Sequence, residues 1–174
     1  MFYRYVGSHD LLKLLQNPAQ HFNIQNPGDV LRWITETKQP LNKAGIVTAT
    51  FIIDTSGQLW ISDQRSEHVV CARGQDVLSA GEMTFQLQPI SVVAVTNQST
   101  GYCPQPESWS VVAYALTPLG IPYPDQFTSS YLFRWCTECQ TTNIIKDEWF
   151  ECAVCQSPLP ELWNYAQHPA YAVK

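Results

Sequence analysis

The sequence predicts an α+β fold: N-terminal helices, a mainly antiparallel sheet of about five strands, one following helix and a C-terminal metal module. Three observations lead to this prediction. Apolar residues recur at helical spacing before and after the middle of the chain, while the middle holds β-branched and aromatic runs separated by turns. Four cysteines then cluster near the C-terminal end. Because helical and strand patterns occupy separate stretches, they indicate α+β rather than α/β.

Two helices are predicted before the sheet. The first follows a capping Ser8 or Asp10, is rich in leucine and ends near Asn17 and the proline after it. The second begins at Asn26, which is followed by a proline suited to the first helical position, and it ends at Pro40. Four apolar residues in it have the spacing of one buried face: Val30, Leu31, Trp33 and Ile34.

The middle of the chain is predicted to form the sheet. A β-branched and aromatic strand is followed by the turn Asp54-Thr55-Ser56-Gly57 and a returning strand, which predicts a hairpin. The predicted strands cover residues 46–53, 59–61, 68–71, 83–87 and 90–95. The helix after the sheet has Pro106 and Glu107 in its first turn and ends at Pro118 and Gly120.

Composition excludes several classes of protein. Of 174 residues, 45% are hydrophobic and 14% are charged, which excludes a disordered chain. The net charge of −5 argues against nucleic acid as a partner, because general nucleic-acid binders displace counterions with a cationic surface. No segment approaches the ~20 apolar residues of a membrane helix, and the N-terminal residues hold no apolar stretch of signal-peptide length. We therefore expect a protein without a membrane partner.

The six cysteines carry information on both compartment and chemistry. Four are clustered and two stand apart, unlike the framework of a secreted disulfide-rich domain, and this predicts a reducing cytoplasm. The cluster has the spacing C-x2-C-x12-C-x2-C, in which each short turn aims two sulfurs at one ion. Two such knuckles complete a tetrahedral site with four sulfur ligands, which suits Zn²⁺. The predicted metal ligands are Cys136, Cys139, Cys152 and Cys155.

Between the knuckles, residues 143–146 and 149–151 are predicted to form a small hairpin around Asp147 and Glu148. The segment 133–159 as a whole resembles the zinc-ribbon family. The resemblance implies one structural zinc ion held by the four cysteines, because no coordination position is left for water. Gln140 and Gln156 follow the knuckles at positions where ribbons often have glycine. Two disulfides, or a redox-active pair, are the alternative interpretations of the same spacing.

Ribbons commonly bind nucleic acid or protein, and three aromatic residues of the segment bear on the choice. Trp135, Trp149 and Phe150 would stack on bases in a single-stranded nucleic-acid site, but acidic residues outnumber basic ones around them. Packing of these rings against the main domain or against a partner is the favoured interpretation.

Two polar stretches, residues 63–68 and 97–104, are the other candidate sites. The second places hydroxyls, amides and a thiol just before a helix start, where a thiol pKa is lowered. Cys103 beside His68 would form a thiolate–imidazole pair oriented by Glu67 or Asn97, as in a cysteine hydrolase or transferase. As a binding surface, the two stretches would use seven residues: Arg65, Ser66, Glu67, His68, Ser99, Thr100 and Tyr102.

The alternative is that both stretches are structural, since a single cysteine is usually buried and inert. Strict reversal of every strand would place the two loops at opposite ends of the sheet. A separate short strand at residues 77–78 would instead bring them together, and the sequence leaves both arrangements open. His9, His21 and His168 have no paired ligand spacing and are predicted to be surface or capping residues.

These observations predict a main α+β domain over residues 1–130 and a zinc ribbon with a C-terminal tail over residues 131–174. The expected function is that of a zinc-binding adaptor or regulator that recognises another protein, because a neutral, aromatic surface suits protein contacts better than phosphates. The thiol enzyme is the alternative, and ribbon-mediated binding of single-stranded nucleic acid is a weaker one.

Overall fold

The computed structural model describes residues 1–16 and 20–172 and confirms the α+β class. The strands are β1 (Phe22–Ile24), β2 (Ile46–Asp54), β3 (Leu59–Asp63), β4 (Val77–Leu87), β5 (Ile90–Val95), β6 (Leu132–Trp135) and β7 (Thr142–Ile145). The α-helices are α1 (Pro27–Thr37), α2 (His68–Cys71) and α3 (Trp109–Leu116). The first five strands form one antiparallel sheet in the order β1-β3-β2-β4-β5, and β6 pairs with β7 in a separate two-stranded sheet.

The predicted start of α1 is confirmed in detail. The Asn26 side chain accepts a hydrogen bond from the Gly28 amide at 2.9 Å, and the Asp29 carboxylate accepts one from the Asn26 amide at 3.1 Å. Val30 and Trp33 are fully buried against the sheet. This reciprocal cap satisfies amides that the first helical turn leaves without partners.

The helix predicted at the N-terminus is a 3₁₀ helix, His9–Gln16. Ser8 Oγ accepts a hydrogen bond from the Asp10 amide at 3.2 Å, as a capping residue does. The predicted end of this helix at Asn17 lies outside the described residues.

One of the predicted strands was wrong, and another is longer than predicted. Residues 68–71 form α2 instead. β3 and β4 lie on opposite sides of β2, so the chain between them must cross the face of the sheet, and α2 is part of that crossing. Thr50 Oγ1 holds this crossing by donating to the carbonyls of Gln64 and Ser66. The strand predicted at 83–87 is the second half of the eleven-residue β4. The fifth strand is β1, which was not among the predicted strands.

The sheet is covered on both faces. Helices α1 and α3 pack on one face over a core that includes Phe51, Phe85 and Leu116. On the other face, α2 and the N-terminal residues cover Ile52 and Ala80. No helix among the described residues is long and apolar enough to span a membrane.

The segment beyond residue 130 packs against the main sheet domain. Asn97, which is fully buried, donates from Nδ2 to the carbonyls of Pro104 and Tyr131, both at 2.8 Å. Its Oδ1 accepts from the Tyr131 amide at 2.7 Å. Trp163 Nε1 donates to the Cys103 carbonyl at 2.9 Å. The division into two domains at residue 130 stays a prediction, and one hydrophobic cluster contains residues from both sides of it.

Candidate metal centre

The four clustered cysteines bring their sulfur atoms together within 4.8 Å of one another. Cys136 Sγ lies 3.5 Å from Cys155 Sγ, and Cys139 Sγ lies 3.5 Å from Cys152 Sγ. A tetrahedral site with metal–sulfur bonds of about 2.3 Å has sulfur–sulfur separations of about 3.8 Å. The four thiols therefore have the arrangement needed to hold one metal ion.

The two knuckles have the same local construction. Each continues after its second cysteine with a glutamine and then a hydroxyl residue. The Gln140 amide donates to the Cys136 carbonyl at 2.8 Å, and the Gln156 amide donates to the Cys152 carbonyl at 2.9 Å. Both glutamines have a left-handed backbone conformation, with φ of 60° and 63°. They adopt the conformation that glycine adopts most easily, so the turn forms despite the departure from the usual residue.

Polar groups around the sulfurs favour thiolates in the second knuckle. The Cys155 amide is the main cause that lowers the pKa of Cys152 to about 6, and Asn143 Nδ2 lies 3.5 Å from the same sulfur. The Ser157 hydroxyl, whose Oγ lies 3.3 Å from Cys155 Sγ, lowers the pKa of Cys155. These donors fit a sulfur that acts as an anionic ligand.

A bound cation would favour ionisation of the first knuckle. The Cys139 amide lowers the pKa of Cys136, but burial and the sulfur of Cys155 outweigh it and raise this pKa to about 11. Four sulfurs at these distances repel one another when ionised, and a bound cation removes that cost.

The small sheet beside the cysteines differs from the predicted hairpin. β7 pairs with β6, which precedes the first knuckle, with Leu132 opposite Ile145. Residues 149–151 form no strand, and their one bridge joins Glu151 to Pro158. The predicted pairing of 143–146 with 149–151 was therefore wrong. Its turn is present, because the Trp149 amide donates to the Lys146 carbonyl at 2.9 Å.

The three aromatic residues of the segment lie in different environments. Trp135 is buried and contacts the His168 ring edge-on at a centroid distance of 5.1 Å. Phe150 is half-buried beneath the Arg134 guanidinium, which lies 5.7 Å from the ring centre. Trp149 is 67% exposed. Packing thus accounts for two of the rings and leaves Trp149 facing outward.

The two polar loops converge, although β4 is one continuous strand. The loop after β3 crosses the sheet face, and His68 Nε2 lies 2.9 Å from the Gly81 carbonyl. β5 ends partway up the sheet, with Val95 opposite Met83, and Gly81 lies so close to Thr96 that a Cβ there would be 1.9 Å from its carbonyl oxygen. A cavity of about 100 Å³ forms between the loops and the N-terminal residues, lined among others by Glu67, His68, Val69, Thr100 and Gly101.

Cys103 and His68 engage other groups at this convergence. Cys103 Sγ donates to the Thr100 carbonyl at 3.3 Å and packs with Phe133 and Tyr165. Burial raises the pKa of Cys103 to about 12. Burial lowers the pKa of His68 to about 4, against the effect of the Gly81 carbonyl. The two groups form no hydrogen bond with each other, and burial favours the neutral form of both.

The remaining predicted loop residues divide between structure and surface. Asn97 holds Pro104 and Tyr131, as described above, and Ser99 is buried. Tyr102 is buried and donates its hydroxyl to the Gln75 carbonyl at 2.8 Å. Of the others, Ser66 is half-buried, and three are exposed: Arg65, Glu67 and Thr100.

Three histidines outside the loops have structural contacts or lie at the surface. His168 accepts a hydrogen bond from the Ala170 amide at 3.1 Å, as a helix cap does. His21 stacks on Trp60 and bonds the Cys71 carbonyl, so it is more enclosed than predicted. His9 is exposed. The cysteine quartet is the one group of metal-ligating side chains found in the described part of the chain.

The structure also shows a residue that the sequence analysis did not single out. Arg134 is 5% exposed, and its guanidinium donates to the carbonyls of Phe133, Pro160 and Glu161. Its position between Phe133 and Trp135, a charged residue flanked by two aromatic residues, was the available signal. Comparison with known proteins gives no match to a family model, to a curated protein or to a solved structure.

Proposed function

We propose that this chain is a zinc-binding adaptor or regulatory protein whose C-terminal segment is a zinc ribbon that contacts another protein. Cys136, Cys139, Cys152 and Cys155 would hold one Zn²⁺. Thiolate ligands at all four positions leave none for water or substrate, so the ion has a structural role. The four thiols are grouped as ligands of one metal ion and not as two disulfide pairs. This arrangement favours a reducing compartment such as the cytoplasm.

The observation that carries the protein-binding role is the presence of three exposed large apolar side chains in residues 149–162, the stretch that contains the second knuckle. Trp149 is 67% exposed, Val154 is 66% exposed and Leu162 is 81% exposed. Large apolar residues exposed together mark sites of interaction, and tryptophan is enriched among the residues that dominate binding energy. A structural metal ion would fix the backbone that presents them.

The two alternative functions receive less support. The thiol enzyme requires an ionised Cys103 beside His68, whereas burial keeps the thiol protonated and each group bonds a different carbonyl. Nucleic-acid binding requires cations, and residues 131–172 contain five carboxylates but only two cationic side chains, one of which is the buried Arg134.

Site-specific photo-crosslinking tests the proposed function. A photoreactive phenylalanine analogue placed at Trp149, in cells that naturally produce the protein, is expected to form a covalent adduct with one protein. The same analogue at Tyr114, which is 76% exposed on α3, serves as the control and should give none. The adduct should disappear in Cys152→Ser, because the metal no longer fixes the segment. An adduct with nucleic acid, or equal adducts at both positions, would overturn the proposal.

A further inference from the structure

The surface around Arg134 combines exposed apolar residues with carboxylates. Arg134 contacts the Phe150 ring and donates to the Pro160 and Glu161 carbonyls. Trp149 and Leu162 directly adjoin Phe150 and Glu161 in the chain, and both are exposed. We call Trp149, Phe150 and Leu162, with the carboxylates of Glu148 and Glu161, the ribbon surface.

Electrostatics define what this surface can bind. Its carboxylates are accompanied by those of Asp147 and Glu151, while Lys146 is the one exposed cation between residues 131 and 172. Arg134 bonds three carbonyls and stacks on Phe150, so its guanidinium is already engaged. The carboxylates Asp147, Glu148 and Glu161 belong to exposed residues and form no salt bridge with described residues.

We propose that the ribbon surface binds a cationic segment of a partner protein, with arginine or lysine side chains over Trp149 and against Glu148 and Glu161. This inference rests on the proposed function and names the chemistry of the partner. A cation over an exposed indole is stabilised by the negative face of the ring, most strongly for tryptophan. Apolar side chains between the cations of that segment would cover Leu162, since interfaces combine an apolar centre with a charged rim.

Fluorescence anisotropy with a defined probe tests the proposal. The probe is a labelled ten-residue peptide of alternating arginine and leucine, titrated with the zinc-loaded full chain. Two matched probes replace every arginine with glutamine or with glutamate. The arginine peptide is expected to bind and the other two are not, with an affinity that falls as salt rises.

Paired variants separate the ribbon surface from overall charge. Glu148→Gln with Glu161→Gln should weaken binding about fivefold, because it removes two charge pairs with the peptide. Trp149→Ala should weaken it about tenfold, because it removes the exposed ring at the centre of the surface. Glu36→Gln with Asp125→Asn removes the same net charge elsewhere, and Tyr114→Ala removes an exposed ring elsewhere. Both control variants should stay within about twofold of the unaltered protein, as for distant surface changes.

The outcomes separate this proposal from the proposed function. Equal weakening by both pairs of charge variants, or binding of the glutamate peptide, would overturn the cationic-segment proposal. A protein adduct at position 149 without peptide binding would also overturn it while leaving the protein-binding role in place. Absence of any protein adduct would overturn both.

Discussion

At the scale of single residues, Gln140 and Gln156 show how the cysteine knuckles are closed. Each donates its amide back to the first cysteine of its knuckle from a left-handed backbone conformation. A residue with a Cβ pays for this conformation with steric contact between Cβ and the carbonyl, whereas glycine does not. The knuckles therefore contain some local strain that the rest of the turn holds in place.

Gln156→Gly is expected to stabilise the zinc-loaded protein. Glycine removes the steric cost of the left-handed conformation, and this gain should exceed the cost of the extra chain entropy that glycine gives the unfolded state. The free energy of unfolding should therefore rise by about 0.5–1 kcal/mol. Urea unfolding followed by tryptophan fluorescence measures it. Gln105→Gly, at a φ of −78°, is the matched control and should lower stability. A loss of stability in Gln156→Gly would contradict the account of the knuckle.

His68 makes stability depend on pH. Its pKa of about 4 in the folded protein lies below the ordinary value of 6.5, so the unfolded chain takes up the proton first as pH falls. Stability should therefore fall by about 2 kcal/mol between pH 7 and pH 5 from this residue alone. His68→Gln retains a donor for the Gly81 carbonyl, and it should remove this contribution to the pH dependence of the free energy of unfolding. If urea unfolding shows the same loss of stability between pH 7 and pH 5 in both proteins, this prediction is contradicted.

Cys103 tests the enzyme alternative directly. Burial raises the pKa of both Cys103 and Cys71 to about 12, so both thiols should react slowly with iodoacetamide at neutral pH. Both should react at ordinary rates once urea unfolds the chain, as mass spectrometry of the labelled cysteines would show. His68→Ala should leave the rate at Cys103 unchanged. Rapid alkylation that depends on His68 would favour a cysteine enzyme instead.

At the scale of elements, Asn97 joins the end of the main sheet to the start of the small one. The buried Asn97 side chain makes three hydrogen bonds to the backbone, one buried bond to Pro104 and two partly buried bonds to Tyr131. Asn97→Ala is expected to cost about 3 kcal/mol, because one buried carbonyl, one partly buried carbonyl and one partly buried amide lose their partners. Asn42→Ala removes a similar turn contact at the surface and should cost less.

Hydrogen exchange distinguishes a local from a general effect of Asn97→Ala. The Tyr131 amide donates to Asn97 Oδ1. In the variant it should lose more protection against hydrogen exchange than the amides in the middle of β2. Uniform loss across both elements would contradict the role of Asn97 as a local link.

Elements with strong local signals were predicted correctly, and those decided by tertiary contacts were not. The Asn26 cap and the turn after β2 depend on neighbouring residues only, so the sequence determines them. His68–Cys71 has the β-branched composition of a strand, yet the strands before and after it in the chain, β3 and β4, are already paired on both sides. The three-residue β1 is too short for a periodic pattern, and its pairing with β3 defines it.

At the scale of the whole molecule, the C-terminal segment closes over the N-terminal one. The Arg4 amide donates to the Tyr171 hydroxyl at 2.8 Å, and Trp163 packs edge-on against Tyr3. The ligand spacing of the cysteines was predictable, because each knuckle is local. The contacts between the segments were not, since they join residues more than 150 positions apart.

The central claim is that four thiolates hold one structural zinc ion. X-ray absorption at the zinc edge, combined with metal analysis of the purified protein, measures it most directly. We expect about one zinc per chain, with four sulfur neighbours at about 2.3 Å and no oxygen or nitrogen ligand. Cys152→Ser should lose a sulfur neighbour or the metal itself. Zinc-free protein with Cys136–Cys139 and Cys152–Cys155 oxidised to disulfides, or a site with fewer than four sulfurs, would contradict the claim.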